Sequence, residues 1–179
     1  MSIGDIDYAI FFTLYGLSNS VFGKFAVIFL GEYLIYIAIF IFLIVAYRDW
    51  RKENRAHIGR YLLPLFSAFV SVGAVVAFIR IFVERNRPFI TYSLPSILTE
   101  FSYSFPSAHT IFIFSLATGT LYFNKKLGVG LFVAGILIGA ARVAGAVHYP
   151  SDIVAGALLG ILTTLFVGTV LKAMYPKHV

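Results

Sequence analysis

The sequence predicts an all-α bundle of membrane-spanning helices, and three observations carry that prediction. The 179-residue chain is 60% hydrophobic and only 12% charged, whereas soluble domains carry about 25% charged residues. Its mean hydropathy is +0.90. Apolar runs of membrane-crossing length recur along it, separated by short polar stretches. At this length a single domain over residues 1–179 is expected. There is no cysteine, which excludes disulfides and thiolate metal ligands. The net charge of +6 is explained by its placement about a membrane and asks for no nucleic acid.

The N-terminal stretch Ile3–Leu17 (IGDIDYAIFFTLYGL) is apolar but too short to cross, with Asp5 and Asp7 near its start. It is expected as an interfacial or re-entrant helix, or else as a sixth span merged with the first. Asn19, Ser20, Gly23 and Lys24 argue for a break. The first twenty residues hold no Lys or Arg and so lack the basic region of a cleavable signal peptide. Five spans follow, at roughly Val21–Tyr47, Tyr61–Val83, Ser107–Phe123, Leu127–Val147 and Ile153–Met174. The first contains Glu32, which either faces the bundle interior or sits near an interface. Gly128, Gly130, Gly135, Gly139, Gly145, Gly156 and Gly160 read as small residues that let helices approach closely.

Orientation follows from the basic residues. Arg48, Arg51, Lys52, Arg55, Arg60, Lys125, Lys126, Lys172 and Lys177 fall on one side, nine of the fourteen in the chain. Lys24, Arg80, Arg85, Arg87 and Arg142 fall on the other. The richer side is expected to be cytoplasmic, with the N-terminus outside and the C-terminus inside.

Three polar islands interrupt the apolar chain, all at the outer face: RIFVERNRP from Arg80, PSAH from Pro106, and RVAGAVHYPSD from Arg142. Ionisable residues beside membrane spans are functional candidates. Arg80 and Arg87 are two helical turns apart and share a face if the helix runs that far, although Pro88 disfavours helix at Arg87. Guanidiniums grip phosphate oxygens in pairs; the alternative is that Arg80, Arg85 and Arg87 reach to headgroups. Ser107, Ala108 and His109 open an apolar helix, whose first-turn N–H groups form an anion site; the alternative is a capping serine and an interfacial histidine. His148 and Asp152 are four apart, so the carboxylate can orient the imidazole; the alternative is a capping Asp152 beside an idle His148.

Together the islands resemble the type 2 phosphatidic acid phosphatase family, which shares its site with vanadium-dependent haloperoxidases. Its motifs are K-x6-R-P, P-S-G-H and S-R-x5-H-x3-D. This chain reads R-x6-R-P from Arg80, P-S-A-H from Pro106 and A-R-x5-H-x3-D from Ala141. Arg80, Ala108 and Ala141 stand where the family has Lys, Gly and Ser. The likeness covers about residues 60–170. It implies that Arg80, Arg87, Ser107, the Ala108 N–H and Arg142 hold a terminal phosphate. It implies further that His109 attacks phosphorus, that His148 protonates the leaving oxygen and then activates water, and that Asp152 orients His148. No metal or other cofactor is implied. A lipid phosphate or diphosphate facing outward is the expected substrate. The N-terminal stretch and GEYLIY from Gly31 resemble the bacterial undecaprenyl diphosphate phosphatases of the family. Phosphatidylglycerophosphate, phosphatidic acid and the 1-phosphate of lipid A are the close competitors. The 89–105 connection is expected to shape the entrance. A small lipid transporter or flippase is the reading from another class, but it calls for midplane charges and internal repeats, which the sequence lacks. Nothing in the sequence specifies an oligomeric state.

Overall fold

A computed structural model describes residues 3–53 and 59–174, and over these the chain is helical with no strand. Arg55 and Lys177, counted above on the basic side, lie outside the described residues. The chain opens with α1 (Ile3–Gly16), separate from α2 (Val21–Lys52) as expected. A short 3-10 turn, Leu17–Asn19, and an extended Ser20 divide them. Ser20 caps α2 by accepting from Gly23 N at 2.9 Å. A side chain at Gly23 would put its Cβ 2.0 Å from Leu17 O, so the reversal requires glycine.

Then come α3 (Gly59–Phe82), the one-turn α4 (Pro88–Thr91), α5 (Ala108–Leu121), α6 (Lys125–Ala144) and α7 (Pro150–Met174). Helices α2, α3, α6 and α7 are long and apolar enough to cross a membrane. The expected span Ser107–Phe123 is shorter than foreseen. At 14 residues, α5 rises about 21 Å, less than the roughly 30 Å hydrocarbon core. It is the central helix, buried from Thr110 to Thr120 apart from Phe112, so its middle is surrounded by neighbouring helices. Asn124 then caps α6 by accepting from Leu127 N at 3.0 Å.

The glycine reading holds best where α7 meets α5. A Cβ on Gly160 would lie 2.4 Å from Ile111 O, and one on Gly156 2.9 Å from Ser107 O. That closeness lets Ser115 Oγ donate to Gly160 O at 2.9 Å and pair with Ser71 Oγ at 2.6 Å. Such interhelical bonds are worth about 0.6 kcal/mol each in a membrane. Gly130 departs from the pattern: nothing approaches its would-be Cβ.

Helix ends set the site. Pro150 occupies the first turn of α7, as its fixed φ favours, so that helix starts earlier than Ile153. Helix α6 stops at Ala144 instead of running to Val147, and Ala146 takes a left-handed φ of 63° in the turn that follows. A groove of about 1040 Å³ between α3 and α7 lies at the opposite end, beside Arg60 and Lys172. Its walls are mostly apolar, and it holds none of the motif residues.

Candidate active site

The end of α3, the starts of α5 and α7 and the α6–α7 turn converge at one end of the bundle. Helix α1 and the 83–107 connection close over them. All eight candidate residues meet there.

Helix α3 ends at Phe82 and Val83 turns extended, so Arg80 and Arg87 do not share one helical face. They reach the site by different routes. Arg80 donates from Nη1 to Ser102 Oγ at 3.1 Å and from Nη2 to Pro106 O at 3.2 Å. Among the described residues its buried Nε has no hydrogen-bond partner and no carboxylate lies within ion-pair distance of it. Arg87 precedes Pro88 and is extended, with φ −74° and ψ 153°. It is 2% exposed, so it does not reach out to headgroups. Its Nε donates to Ser102 O at 2.6 Å and its Nη1 to Val147 O at 2.7 Å. The guanidinium thus ties the connection to the α6–α7 turn. Burial pushes Arg87 down to about 10, still cationic at neutral pH.

Ser107 is the extended residue before α5, and its side chain makes no cap bond. Its buried hydroxyl accepts from Thr110 Oγ1 at 3.1 Å. Ala108 and His109 open the helix, where backbone N–H groups lack intrahelical partners. His109 Nε2 lies 3.4 Å from Arg142 Nη1, and Nδ1 lies 4.0 Å from Glu100 Oε1. A guanidinium only donates, so this contact assigns the lone pair to Nε2.

Arg142 is fully buried at the end of α6. Its Nη1 donates to Gly31 O at 3.3 Å and lies 3.8 Å from Glu32. A π-helical turn in α2, Phe29–Tyr33, turns both groups inward; Glu32 therefore faces the bundle interior. The Arg142 Nη2 donates to Glu100.

His148 is 1% exposed. Its Nε2 lies 3.4 Å from Arg87 Nη1, and its Nδ1 3.5 Å from Asp152 Oδ2, the partner expected from the spacing. By the same logic Nε2 holds the lone pair and Nδ1 the proton. Burial, aided by Arg142 and Arg87 and opposed by Asp152, pushes His148 down to about 4. Asp152 is fully buried. It accepts from Tyr149 N at 2.8 Å, closing the first turn of α7 from within. It also accepts from Ser104 Oγ and, at 2.7 Å, from Arg85. Asp152 is therefore both a cap and the histidine's partner.

Several site residues were not singled out in the sequence. Glu100 and Ser104 come from the 89–105 connection, and Asp7 from α1. Arg85 lies in the first polar island without an assigned role, reach to headgroups being the alternative there; it bridges Asp7 at 2.8 Å and Asp152 and stacks over Tyr149 at 3.8 Å. Glu100 places its carboxylate between Arg142 and Arg87, 3.3 Å from the latter. Burial works to raise its pKa, but Arg142 and Arg87 hold it below the usual range. An isolated acid in an otherwise neutral connection was its only sequence signal.

The arrangement aims two imidazole lone pairs at an arginine cluster beside a helix N-terminus. It can hold a tetrahedral anion and offer it a nucleophile and a base. Among the described residues no three His, Cys, Asp or Glu side chains group as metal ligands.

A family model described as PAP2 superfamily matches residues 60–174. The chain is 49% identical over 45 residues to the bacitracin transport permease protein BcrC of Bacillus licheniformis. That overlap covers 25% of this chain and 22% of the curated relative, about a fifth of its length. LpxE of Aquifex aeolicus superposes with a TM-score of 0.71 at 22% identity, covering 94% of this chain and 99% of that one. The first transmembrane PAP2 type phosphatidylglycerolphosphate phosphatase from Bacillus subtilis gives 0.57 at 16% identity, covering 97% and 98%. Both structural likenesses concern the fold.

Proposed function

The chain belongs to the PAP2 superfamily of membrane lipid phosphatases, and from that premise we propose that it releases the terminal phosphate of undecaprenyl diphosphate through a phosphohistidine. The observation that carries the mechanism is the pair of imidazole lone pairs, His109 Nε2 and His148 Nε2, each within 3.4 Å of a phosphate-gripping arginine.

Arg80, Arg87, Arg142, Ser107 and the Ala108 N–H hold the phosphate. His109 Nε2 attacks phosphorus as the bond to the lipid oxygen breaks, and His148 gives that oxygen its proton. Water then loses a proton to His148 and attacks phosphorus, the P–N bond breaks, and inorganic phosphate leaves. Burial, Arg142 and Arg87 hold His148 low, so it serves as acid once the negative charge of bound substrate raises its affinity for a proton. Asp152 keeps the proton on Nδ1 and the Nε2 lone pair toward the substrate. Guanidiniums and a helix terminus carry the transition-state charge, and no step calls for a metal.

Support for the undecaprenyl substrate comes from two segments outside the motif core. Helix α1 and the GEYLIY stretch, which carry the likeness to undecaprenyl diphosphate phosphatases, both touch the site, through Asp7 and through Gly31 O. The whole chain then acts as one domain, 1–179, in the cell membrane. Its site faces the extracytoplasmic side and its C-terminus the cytoplasm. Among the described basic residues, Arg48, Arg51, Lys52, Arg60, Lys125, Lys126 and Lys172 belong to helix ends remote from the site.

The test is phosphate release by purified protein from undecaprenyl diphosphate, phosphatidylglycerophosphate, phosphatidic acid and lipid A 1-phosphate, with excess EDTA present. Undecaprenyl diphosphate is expected to be hydrolysed with the highest kcat/KM. Preference for another lipid overturns the substrate assignment. Activity lost to EDTA and restored by magnesium overturns the metal-free mechanism. The transport reading, which matches the name of the Bacillus licheniformis relative, requires lipid movement without phosphate release.

A further inference from the structure

Helix α1 lies outside the residues matched by the family model, 60–174, yet it sends a buried carboxylate to the back of the site, against Arg85 and Ser151. Asp7 is 6% exposed. Its Oδ2 accepts from Arg85 Nη2 at 2.8 Å, and its Oδ1 accepts from Ser151 N at 2.8 Å. The Ser151 hydroxyl also donates to it. Arg85 uses its other arm on Asp152, at 2.7 Å. Asp152 in turn faces His148 Nδ1 at 3.5 Å, long for a hydrogen bond, and among the described residues Nδ1 has no other partner. A continuous chain therefore runs from Asp7 through Arg85 and Asp152 to the imidazole.

We propose that Asp7 is a positioning residue for the phosphatase reaction, acting through Arg85 to hold Asp152 against His148. The inference rests on the function proposed above. Its physical content is a division of charge. Arg85 is a two-armed donor shared between two carboxylates. With both in place, the guanidinium is fixed, and Asp152 keeps one oxygen turned toward His148. Asp7 also anchors the first turn of α7, the turn that carries Asp152, by accepting its Ser151 N–H. Without Asp7, Arg85 closes fully on Asp152, and the first turn loses its anchor. Asp152 then stops selecting the Nδ1–H tautomer, and the Nε2 lone pair is no longer reliably presented. Partners of this outer kind alter activity by about 10- to 100-fold in metal sites that orient a histidine the same way.

Three variants separate the contributions. Asp7→Ala removes both the anchor and the charge. Asp7→Asn keeps an acceptor for Ser151 N but removes the charge facing Arg85. Arg85→Lys replaces the two-armed donor by one ammonium that cannot span both carboxylates. Two readouts apply: phosphate release, and the 15N chemical shifts of the His148 ring, which report its tautomer at neutral pH. In the native protein one tautomer is expected. Asp7→Ala is expected to mix the tautomers and lower kcat about 10- to 100-fold, with a smaller change in KM. Asp7→Asn and Arg85→Lys are expected to fall between. A folded Asp7→Ala protein with one tautomer and native kcat overturns the proposal. If Asp7→Ala does not fold, native tautomer and kcat in both other variants overturn it. Mixed tautomers in the variants, beside a native protein that releases phosphate from no lipid, uphold the positioning role and defeat the phosphatase reading instead.

Discussion

Glu100→Gln should make the protein bind vanadate more tightly. The Glu100 carboxylate lies between Arg142 and Arg87 and 4.0 Å from His109 Nδ1, the position that the proposed mechanism gives to a tetrahedral oxyanion. On that reading phosphate or vanadate displaces it. Charge-assisted hydrogen bonds contribute about 1.5–3 kcal/mol each, and Glu100 has two such partners. Part of that is returned when the carboxylate swings into water, since it is already 21% exposed. A glutamine keeps the neutral part of the contact and loses the ionic part. The net gain for an incoming anion is about 1.4–2.8 kcal/mol, or roughly 10- to 100-fold in affinity. The competitor persists at mildly acidic pH: although burial opposes it, the two arginines hold the Glu100 carboxyl below the usual range. The assay is the inhibition constant of vanadate against phosphate release, with binding calorimetry alongside. Glu84→Gln makes the same charge change at an exposed position, where salt screening should hold the effect to about twofold or less. An unchanged or weaker vanadate affinity in Glu100→Gln refutes the reasoning. A weaker one means that Glu100 spaces the arginines for phosphate rather than competing with it.

The remaining predictions concern the chemistry, the packing and the sidedness. His109→Ala should abolish any phosphoenzyme, whereas His148→Ala should still form one from a substrate with a good leaving group and then stall; a phosphoenzyme trapped on His148 reverses the assignment. Gly160→Ala brings a Cβ to 2.4 Å from Ile111 O, so it should lower the melting temperature in detergent and cost about 1–3 kcal/mol. Gly130→Ala, with open space around it, should be neutral or gain up to about 1 kcal/mol. A single cysteine at the exposed Ser93 should react with an impermeant maleimide in intact cells. One at Asn54, outside the described residues, should react only after the membrane is opened; the opposite pattern moves the site to the cytoplasmic side.

What the sequence discloses here is what repeats or clusters locally. Apolar runs mark the spans, and the spacing of His148 and Asp152 within one turn marks their pairing. Helix ends are less legible. Pro88 warns that Arg87 is not helical, but nothing local announces that α3 stops at Phe82. Likewise, α5 is short because neighbours surround it, a property of the assembled bundle. The least legible residues are the acids. Asp7 meets Arg85 across 78 positions and Ser151 across 144, and Glu100 meets Arg142 across 42. No periodicity links such pairs.

Charge balance links them instead. Four guanidiniums, on Arg80, Arg85, Arg87 and Arg142, gather where two are almost wholly buried, Arg87 at 2% and Arg142 at 0% exposed. Unpaired charge in such surroundings costs several kcal/mol per group. The fold must therefore supply carboxylates nearby, and Asp7, Glu32, Glu100 and Asp152 are four. Their roles then divide by what they face. Asp7 and Asp152 hold Arg85, behind the histidine, and have no reason to leave when substrate arrives. Glu32 and Glu100 face Arg142, to which the proposed mechanism assigns phosphate, so on that reading at least one yields. Glu100 sits on an irregular connection, whereas Glu32 is fixed to a helix, and this makes Glu100 the one expected to yield. Arg80 has no carboxylate within ion-pair distance among the described residues and spends its Nη donors on Ser102 Oγ and Pro106 O, so of the four it is the guanidinium with no close acid to shed before it can bind an anion.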